Sequence, residues 1–157
     1  MKEAEALNSV SKFHKTFNHP ILAEPQIPPK DRAELRLNLL KEELEELQEA
    51  VENQDLIEAA DALCDLQYVL AGAILEFGMG EKFAALFSEV QRSNMSKVCR
   101  SEEEAQATIN HYASQNQDAY FEKKDDFYLV YRKADNKTLK SINYSEVDLE
   151  RILRSKV

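Results

Sequence analysis

Apolar positions near the start of the chain recur at spacings of three and four residues. Ala6-Leu7, Val10, Phe13-His14 and Phe17 do so between residues 3 and 17, which predicts an amphipathic helix. Residues 18–30 interrupt the pattern and hold all four prolines of the chain. Proline lacks a backbone donor and disfavours helix in the residue before it, so this stretch is an extended connector. Its Ile21-Leu22 and Ile27 predict that it packs rather than floats. The helical pattern resumes at Asp31, a suitable N-cap, and runs to Val51 with Ala33, Leu37, Leu40, Leu44, Leu47 and Val51 as its apolar stripe.

Glu52-Asn53-Gln54-Asp55 reads as a short turn, and Asp55 can cap the helix after it. A connection this short makes the next helix an antiparallel neighbour. That third helix, from about Leu56 to Phe77, is apolar on almost every face, which predicts a central position surrounded by other helices. Gly72 inside it predicts a close helix approach, and Gly78 suits a C-cap. A fourth helix is expected from about Glu81 to Lys97, and a fifth over 101–114 with Ser101 as cap and Glu104 as its capping-box partner. Phe127-Tyr128-Leu129-Val130-Tyr131 reads as a strand, Asp135-Asn136-Lys137 as a turn and Thr138-Leu139-Lys140-Ser141 as a returning strand. Residues 148–153 read as a last helical turn or two. The fold class is therefore mainly α, an antiparallel bundle of four to five helices with a small C-terminal β-hairpin. Residues 1–116 form the helical domain, and 117–157 are a hairpin and short helix appended to it.

Composition narrows this picture. The 157 residues are 43% apolar, enough for a core. No apolar run is long enough for a membrane span, and Met1-Lys2-Glu3-Ala4-Glu5 lacks the apolar region of a signal peptide. Cys64 and Cys99 do not form a disulfide framework, and Cys64 reads as a small buried hydrophobe. A cytoplasmic location is the simplest expectation. The net charge of −9 argues against nucleic-acid binding, which needs a basic face.

Candidate chemistry lies between Leu39 and Asp65. On a helical wheel Glu42, Glu45 and Glu49 belong to a solvated face. Glu43 and Glu46 lie on a flank shared with Leu39 and Ala50, poor choices for a surface facing water. On the third helix Glu58, Asp61 and Asp65 fall within an arc of roughly 60°. Burying carboxylates unpaired costs several kcal/mol each. Lys41 points with the solvated face, and Arg36 can serve at most one acid. The register of the helical hairpin lets Glu43 and Glu46 face Glu58 and Asp61. All-oxygen ligands suit Mg²⁺ or Mn²⁺. Asp65 is either a further ligand or an acceptor that orients one. A Glu-x-x-His pair is missing, and His14, His19 and His111 lie away from the acids, which argues against a di-iron centre.

Glu-Glu-x-x-Glu-Leu followed on the next helix by Glu-x-x-Asp resembles the all-α nucleoside triphosphate pyrophosphohydrolases. Within that superfamily the chain is most similar to the MazG-like, phosphoribosyl-ATP pyrophosphohydrolase-like branch. Phe13-His14, Leu40-Lys41-Glu42-Glu43-Leu44-Glu45-Glu46-Leu47, Asp61-Ala62-Leu63-Cys64-Asp65-Leu66-Gln67-Tyr68-Val69 and Arg92-Ser93-Asn94-Met95-Ser96-Lys97 carry the resemblance. It spans about residues 10–100 and, more weakly, Leu139-Lys140-Ser141 to Leu149. It implies Mg²⁺-dependent hydrolysis of a nucleoside triphosphate to monophosphate and pyrophosphate, of the dUTP or dCTP house-cleaning type, by a homodimer. The family's metal ligands fall on Glu43, Glu46, Glu58 and Asp61. Glu42/Glu45 repeat the spacing one residue earlier, and the wheel favours Glu43/Glu46. The alternatives are a phosphoribosyl-ATP pyrophosphohydrolase of histidine synthesis and a non-catalytic helical metal-binding or oligomerisation module.

The remaining groups are read beside that expectation. Glu46 is the candidate base for the attacking water. Phe83, Phe87, Val90, Asn94 and Lys97 form one stripe on the fourth helix, so Asn94 and Lys97 are expected to face the interior and meet substrate phosphates. Lys97 is alternatively a cation that satisfies the helix C-terminus. Arg36 is a second phosphate candidate or else one half of a surface ion pair. Phe13, His14, Phe17 and Tyr68 are either a sandwich for a base or core aromatics.

Overall fold

The computed structural model describes residues 1–155. In chain order the elements are α1 (Ala6–Phe17), α2 (Lys30–Glu52), α3 (Leu56–Glu76), α4 (Phe83–Met95), α5 (Glu102–Ala113), β1 (Ala119–Lys124), β2 (Phe127–Arg132) and α6 (Leu149–Arg154). The chain is mainly helical with one two-stranded antiparallel hairpin, as its pattern predicts. It divides into two compact units after Phe83. No described helix is long and apolar enough to cross a membrane.

In the first unit α2 and α3 form a helical hairpin. Asp55 caps α3, its carboxylate accepting from the amides of Ile57 at 3.0 Å and Glu58 at 3.2 Å. Pro29, rather than Asp31, holds the cap position of α2, and Asp31 sits in the first turn, where its charge suits the helix dipole. The inward face of α2 holds Arg36, Ala50 and the half-buried Leu40, Glu43 and Leu47. Leu37, Leu44 and Val51, expected in one stripe with Leu40 and Leu47, turn outward and are exposed. They recur every seven residues on the side next to that inward face, so a single partner helix does not cover both.

The expectation that α3 is surrounded holds only for its second half. Every residue from Ala71 to Glu76 is buried, whereas Leu56 and Ile57 are 83% and 80% exposed. The reason is reach: α1 packs Val10, with Ala6 and Leu7, against Ala71 and Leu75. Cys64, expected to be buried, lies on the uncovered half and is exposed. The α3 C-terminus closes through Gly78, at φ 68°, with its amide on the Leu75 carbonyl and the Met79 amide on the Ile74 carbonyl. A Cβ there would lie 1.9 Å from the Glu24 carbonyl oxygen, so the position demands glycine twice over. The proline-rich connector is pinned by backbone bonds, Leu22 N–H to Leu75 and Gln26 N–H to Phe77, both 3.1 Å. Pro28 packs inward and Ile27 projects outward.

The second unit is built on Cys99, Ala105, Ala119, Val130 and Leu139. Ser101 caps α5 by accepting from the Glu104 amide at 3.2 Å, while the Glu104 carboxylate takes the Arg100 amide at 2.9 Å. The hairpin lies earlier than its expected turn at 135–137. β1 and β2 pair from Ala119↔Arg132 to Lys124↔Phe127, around a turn at Asp125-Asp126 with Asp125 at φ 53°. The sequence hid β1 because Glu122-Lys123-Lys124 project to solvent and break the apolar alternation. The segment expected as a returning strand contributes a lone bridge from Thr138 to Tyr131 and the Leu139 amide to the Val130 carbonyl.

α4 also departs from expectation. Leu86, Glu89 and Ser93 are its buried residues, and Phe87 is 64% exposed. The polar residues turn inward because they are bonded: Glu89 receives Arg92 and the Asp148 amide, and Ser93 meets Tyr144 and Ser145.

Candidate functional site

The short turn after α2 and the Asp55 cap fix where α3 starts against α2, and this sets the acids along one end of the hairpin. A cavity of about 440 Å³ opens there, its walls carrying Glu46 and Glu49 from α2 and Asp55, Glu58 and Asp61 from α3. Ala50 and Ala62, both buried, form part of its lining. Glu43 lies one turn back from Glu46 and is half-buried, and its Oε2 is buried without a hydrogen-bond partner. Burial pushes the Glu43 carboxyl above its ordinary value of 4.5, and the charges of Asp65, Glu46, Glu42 and Asp61 push in the same direction.

No lysine or arginine of the described residues pairs with Glu43, Glu46, Glu58, Asp61 or Asp65. Lys41 bonds Glu45 across the exposed face. Glu42, Glu45 and Glu49 are exposed, and so are Glu46, Glu58, Asp61 and Asp65. Among the described residues no three acids, histidines or cysteines converge as they stand on one ion. The chemistry of the set nonetheless fits a hard divalent cation. Its donors are all oxygens, one of them is buried and partnerless, and its charges repel until something positive sits among them. Glu49, read from sequence as solvated, belongs to the cavity wall. Its position three residues after Glu46 was the available signal.

At the other end of the hairpin a smaller cavity, about 180 Å³, is lined by Phe13, His14, His19, Arg36, Leu39 and Tyr68 among others. Phe13 stacks on His19 at 5.7 Å and meets Tyr68 edge-on at 5.7 Å. Phe17 contacts Phe13 at 4.5 Å but does not line the cavity and is 60% exposed.

Beneath this cavity lies a buried charge network. Glu76, fully buried, receives both Arg32 and Arg36. Burial pushes its carboxyl up, but the two guanidinium groups outweigh that and hold it below the ordinary range. Arg36 also donates to His14 Nε2 at 3.3 Å, so that nitrogen accepts and Nδ1–H donates to the Pro20 carbonyl at 2.9 Å. His14 is thereby held neutral, its pKa pushed below 6.5 by burial first and by the Arg36 charge, against the Pro20 bond. A Cβ at Gly72 would lie 2.7 Å from Arg36 Nη1 and 3.1 Å from His14 Nε2, which explains the glycine inside α3. Arg36 is thus buried and committed to Glu76, neither a surface ion pair nor an open cation. Glu76 was missed in the sequence, although it is the one charge in the run Ala71–Phe77.

In the second unit Lys97 donates to Asn94 Oδ1 at 2.8 Å in the turn that ends α4. Asn94 is exposed and Lys97 half-buried, so the stripe they share with Phe87 faces outward from its unit rather than into a core.

Comparison with known proteins places these features in a family. The sequence model described as phosphoribosyl-ATP pyrophosphohydrolase matches residues 10–94, a stretch that contains all five acids and Asn94. An uncharacterized protein, L479, of Acanthamoeba polyphaga mimivirus is 31% identical over 103 residues, covering 63% of this chain and 41% of its own length. The chain belongs to the phosphoribosyl-ATP pyrophosphohydrolase family, in the MazG-like all-α nucleoside triphosphate pyrophosphohydrolase superfamily.

Proposed function

We propose that the protein is a Mg²⁺-dependent nucleoside triphosphate pyrophosphohydrolase that releases a nucleoside monophosphate and pyrophosphate. The observation that supports this most is the set of acids without cationic partners beside a cavity, inside the family-matched region. Glu43, Glu46, Glu58 and Asp61 would hold Mg²⁺ or Mn²⁺, with Asp65 as a further ligand or as an acceptor beside Glu43. When bound there, the cation would supply charge neutralisation at the phosphates and a lowered pKa for water. Glu46, exposed on the cavity wall, orients and deprotonates the attacking water. Asn94 and Lys97 donate to phosphate oxygens as an amide and an ammonium. Phe13, His14 and Tyr68 receive the base, with Phe17 at the rim. Arg36 acts from beneath that pocket by fixing His14, because Glu76 already takes its charge.

A homodimer fits the apolar surface left open on the hairpin, where Leu37, Leu44, Val51, Leu56, Ile57 and Leu63 are each more than half exposed. The family's own description favours a second reading, hydrolysis of phosphoribosyl-ATP. Purified protein with Mg²⁺, assayed for pyrophosphate release from dUTP, dCTP, the other triphosphates and phosphoribosyl-ATP, separates the two. Turnover of phosphoribosyl-ATP alone establishes the second reading. Turnover of none of them, with the divalent cation bound, leaves a non-catalytic helical module.

A further inference from the structure

The segment 140–148 has almost no regular structure, yet it is fastened along α4 and α5 by hydroxyls, carboxylates and carbonyls. The Ser141 amide donates to the Lys97 carbonyl at 3.2 Å, and the Ser145 amide donates to Ser96 Oγ at 2.9 Å. Ser93 Oγ donates to the Ser145 carbonyl at 3.0 Å and lies 2.8 Å from the Tyr144 hydroxyl. Arg92 donates to Ser145 Oγ and to the Glu146 carbonyl, and Glu89 accepts the Asp148 amide. Toward α5 the Ser141 hydroxyl meets Glu104, and the Ile142 amide donates to Thr108 Oγ1. Ser93, Thr108 and Ser141 are buried, so these bonds are not interchangeable with water.

The effect of this strap is to deliver Lys140 to the last turn of α4. Its ammonium sits 4.2 Å from the centroid of the Tyr144 ring, and the Tyr144 hydroxyl is tied to Ser93 in that same turn. A ring engages an ammonium from one side and leaves its other N–H donors open. Lys97 lies at the same point of the backbone, joined through the Ser141 amide, with Asn94 on its ammonium. Neither Lys97 nor Lys140 is paired with a carboxylate among the described residues. Two lysines thus stem from adjoining backbone, each ammonium without a carboxylate partner among the described residues, which is the arrangement a polyanion can bridge.

We propose that Lys140 is a further phosphate-binding residue, positioned by the 140–148 strap to grip a pyrophosphate group together with Lys97 and Asn94. This rests on the reading of Asn94 and Lys97 as phosphate donors, but not on turnover. The probe is inorganic pyrophosphate, titrated by calorimetry into the full chain with and without Mg²⁺. Lys140→Met and Lys97→Met each weaken its binding about tenfold, the loss of one charge-assisted hydrogen bond. Lys140→Arg keeps wild-type binding, and so does Lys133→Met, which removes an exposed cation elsewhere in the unit. Thermal unfolding of each variant at the wild-type midpoint shows that the strap stays docked. Wild-type binding by Lys140→Met, an equal loss in Lys133→Met, or no pyrophosphate binding by the wild-type chain overturns the proposal. Absence of triphosphate hydrolysis, with Lys140-dependent pyrophosphate binding intact, sinks the hydrolase reading and leaves this one standing.

Discussion

The two ends of the α2–α3 hairpin treat carboxylates in opposite ways. At one end Glu76 is fully buried, and two arginines from α2 neutralise it within the same unit. At the other end the charges of Asp65, Glu46 and Asp61 act against that of Glu43, and neither these acids nor Glu58 is paired with a described cation. Burial of charge is therefore not what distinguishes the candidate acids here, because the more buried one, Glu76, is bonded within the fold. The distinguishing property is whether the fold supplies the counter-charge. Where it does, the acid locks helices together; where it does not, the acid is a candidate for the proposed cation.

The largest way to break this contrast is at the self-sufficient end. Glu76→Ala leaves two guanidinium groups without their acceptor, one of them buried, and is expected to cost about 3–5 kcal/mol, read as a lowered urea midpoint with unchanged slope. The mirror experiment is at the open end. Glu58→Ala and Asp61→Ala remove exposed acids, so stability holds within about 0.5 kcal/mol. Turnover falls on the order of a hundredfold or more, because charge stabilisation worth several kcal/mol is lost. Retained turnover in both variants would break the assignment, and unfolding of either would make that end structural after all.

How much the chain disclosed of itself depended on the range of the forces involved. Asp55, Ser101 and Gly78 were legible because caps are settled by backbone groups two to five residues away. Helix spans were legible from periodicity. The hairpin was misplaced because β1 is held by its partner strand and not by its own pattern, with Glu122-Lys123-Lys124 in solvent. α4 showed its polar face inward because Glu89 and Ser93 are satisfied by residues more than fifty positions away. The wheel separated Glu43 from Glu42 by burial, yet it could not pair Glu76 with Arg32 and Arg36 across 44 and 40 residues. Arg36 was consequently read as a phosphate donor or a surface ion pair, when its charge is taken by Glu76 in the interior.

A smaller effect sharpens the comparison at the open end. Millimolar Mg²⁺ or Mn²⁺ is expected to stabilise the wild-type chain by about 1.4 kcal/mol at ten times the dissociation constant, read as a raised unfolding midpoint. Glu43→Gln removes one of the mutually repelling charges. The variant is therefore slightly more stable than wild type in chelator and gains less from the cation. The same titration on Glu76→Gln keeps the full gain, since its partners are arginines. A cation response equal in wild type and Glu43→Gln would take the cation away from this end of the hairpin.

The smallest effect concerns pH at the closed end, where the charge network includes a group that titrates near neutrality. His14 has its folded pKa below 6.5, the value it regains when unfolded. Between those two values the unfolded chain binds the extra proton, so stability rises with pH there. The contribution is complete above about 6.5 and is lost as pH falls through the window beneath it. Physically, a proton on Nε2 removes the acceptor that Arg36 uses and places a second positive charge against the guanidinium. The other groups facing His14 are His19, which opposes its protonation, and Glu76, which favours it but is held charged by two arginines throughout. His14→Gln retains one donor for Pro20 and one acceptor for Arg36, and it does not titrate. The wild-type midpoint should therefore fall by a few degrees or less between about pH 7 and pH 5.5, while that of His14→Gln stays flatter. An identical slope in both proteins would mean that the loss on acidification comes from another group, and that Arg36 does not depend on a neutral imidazole.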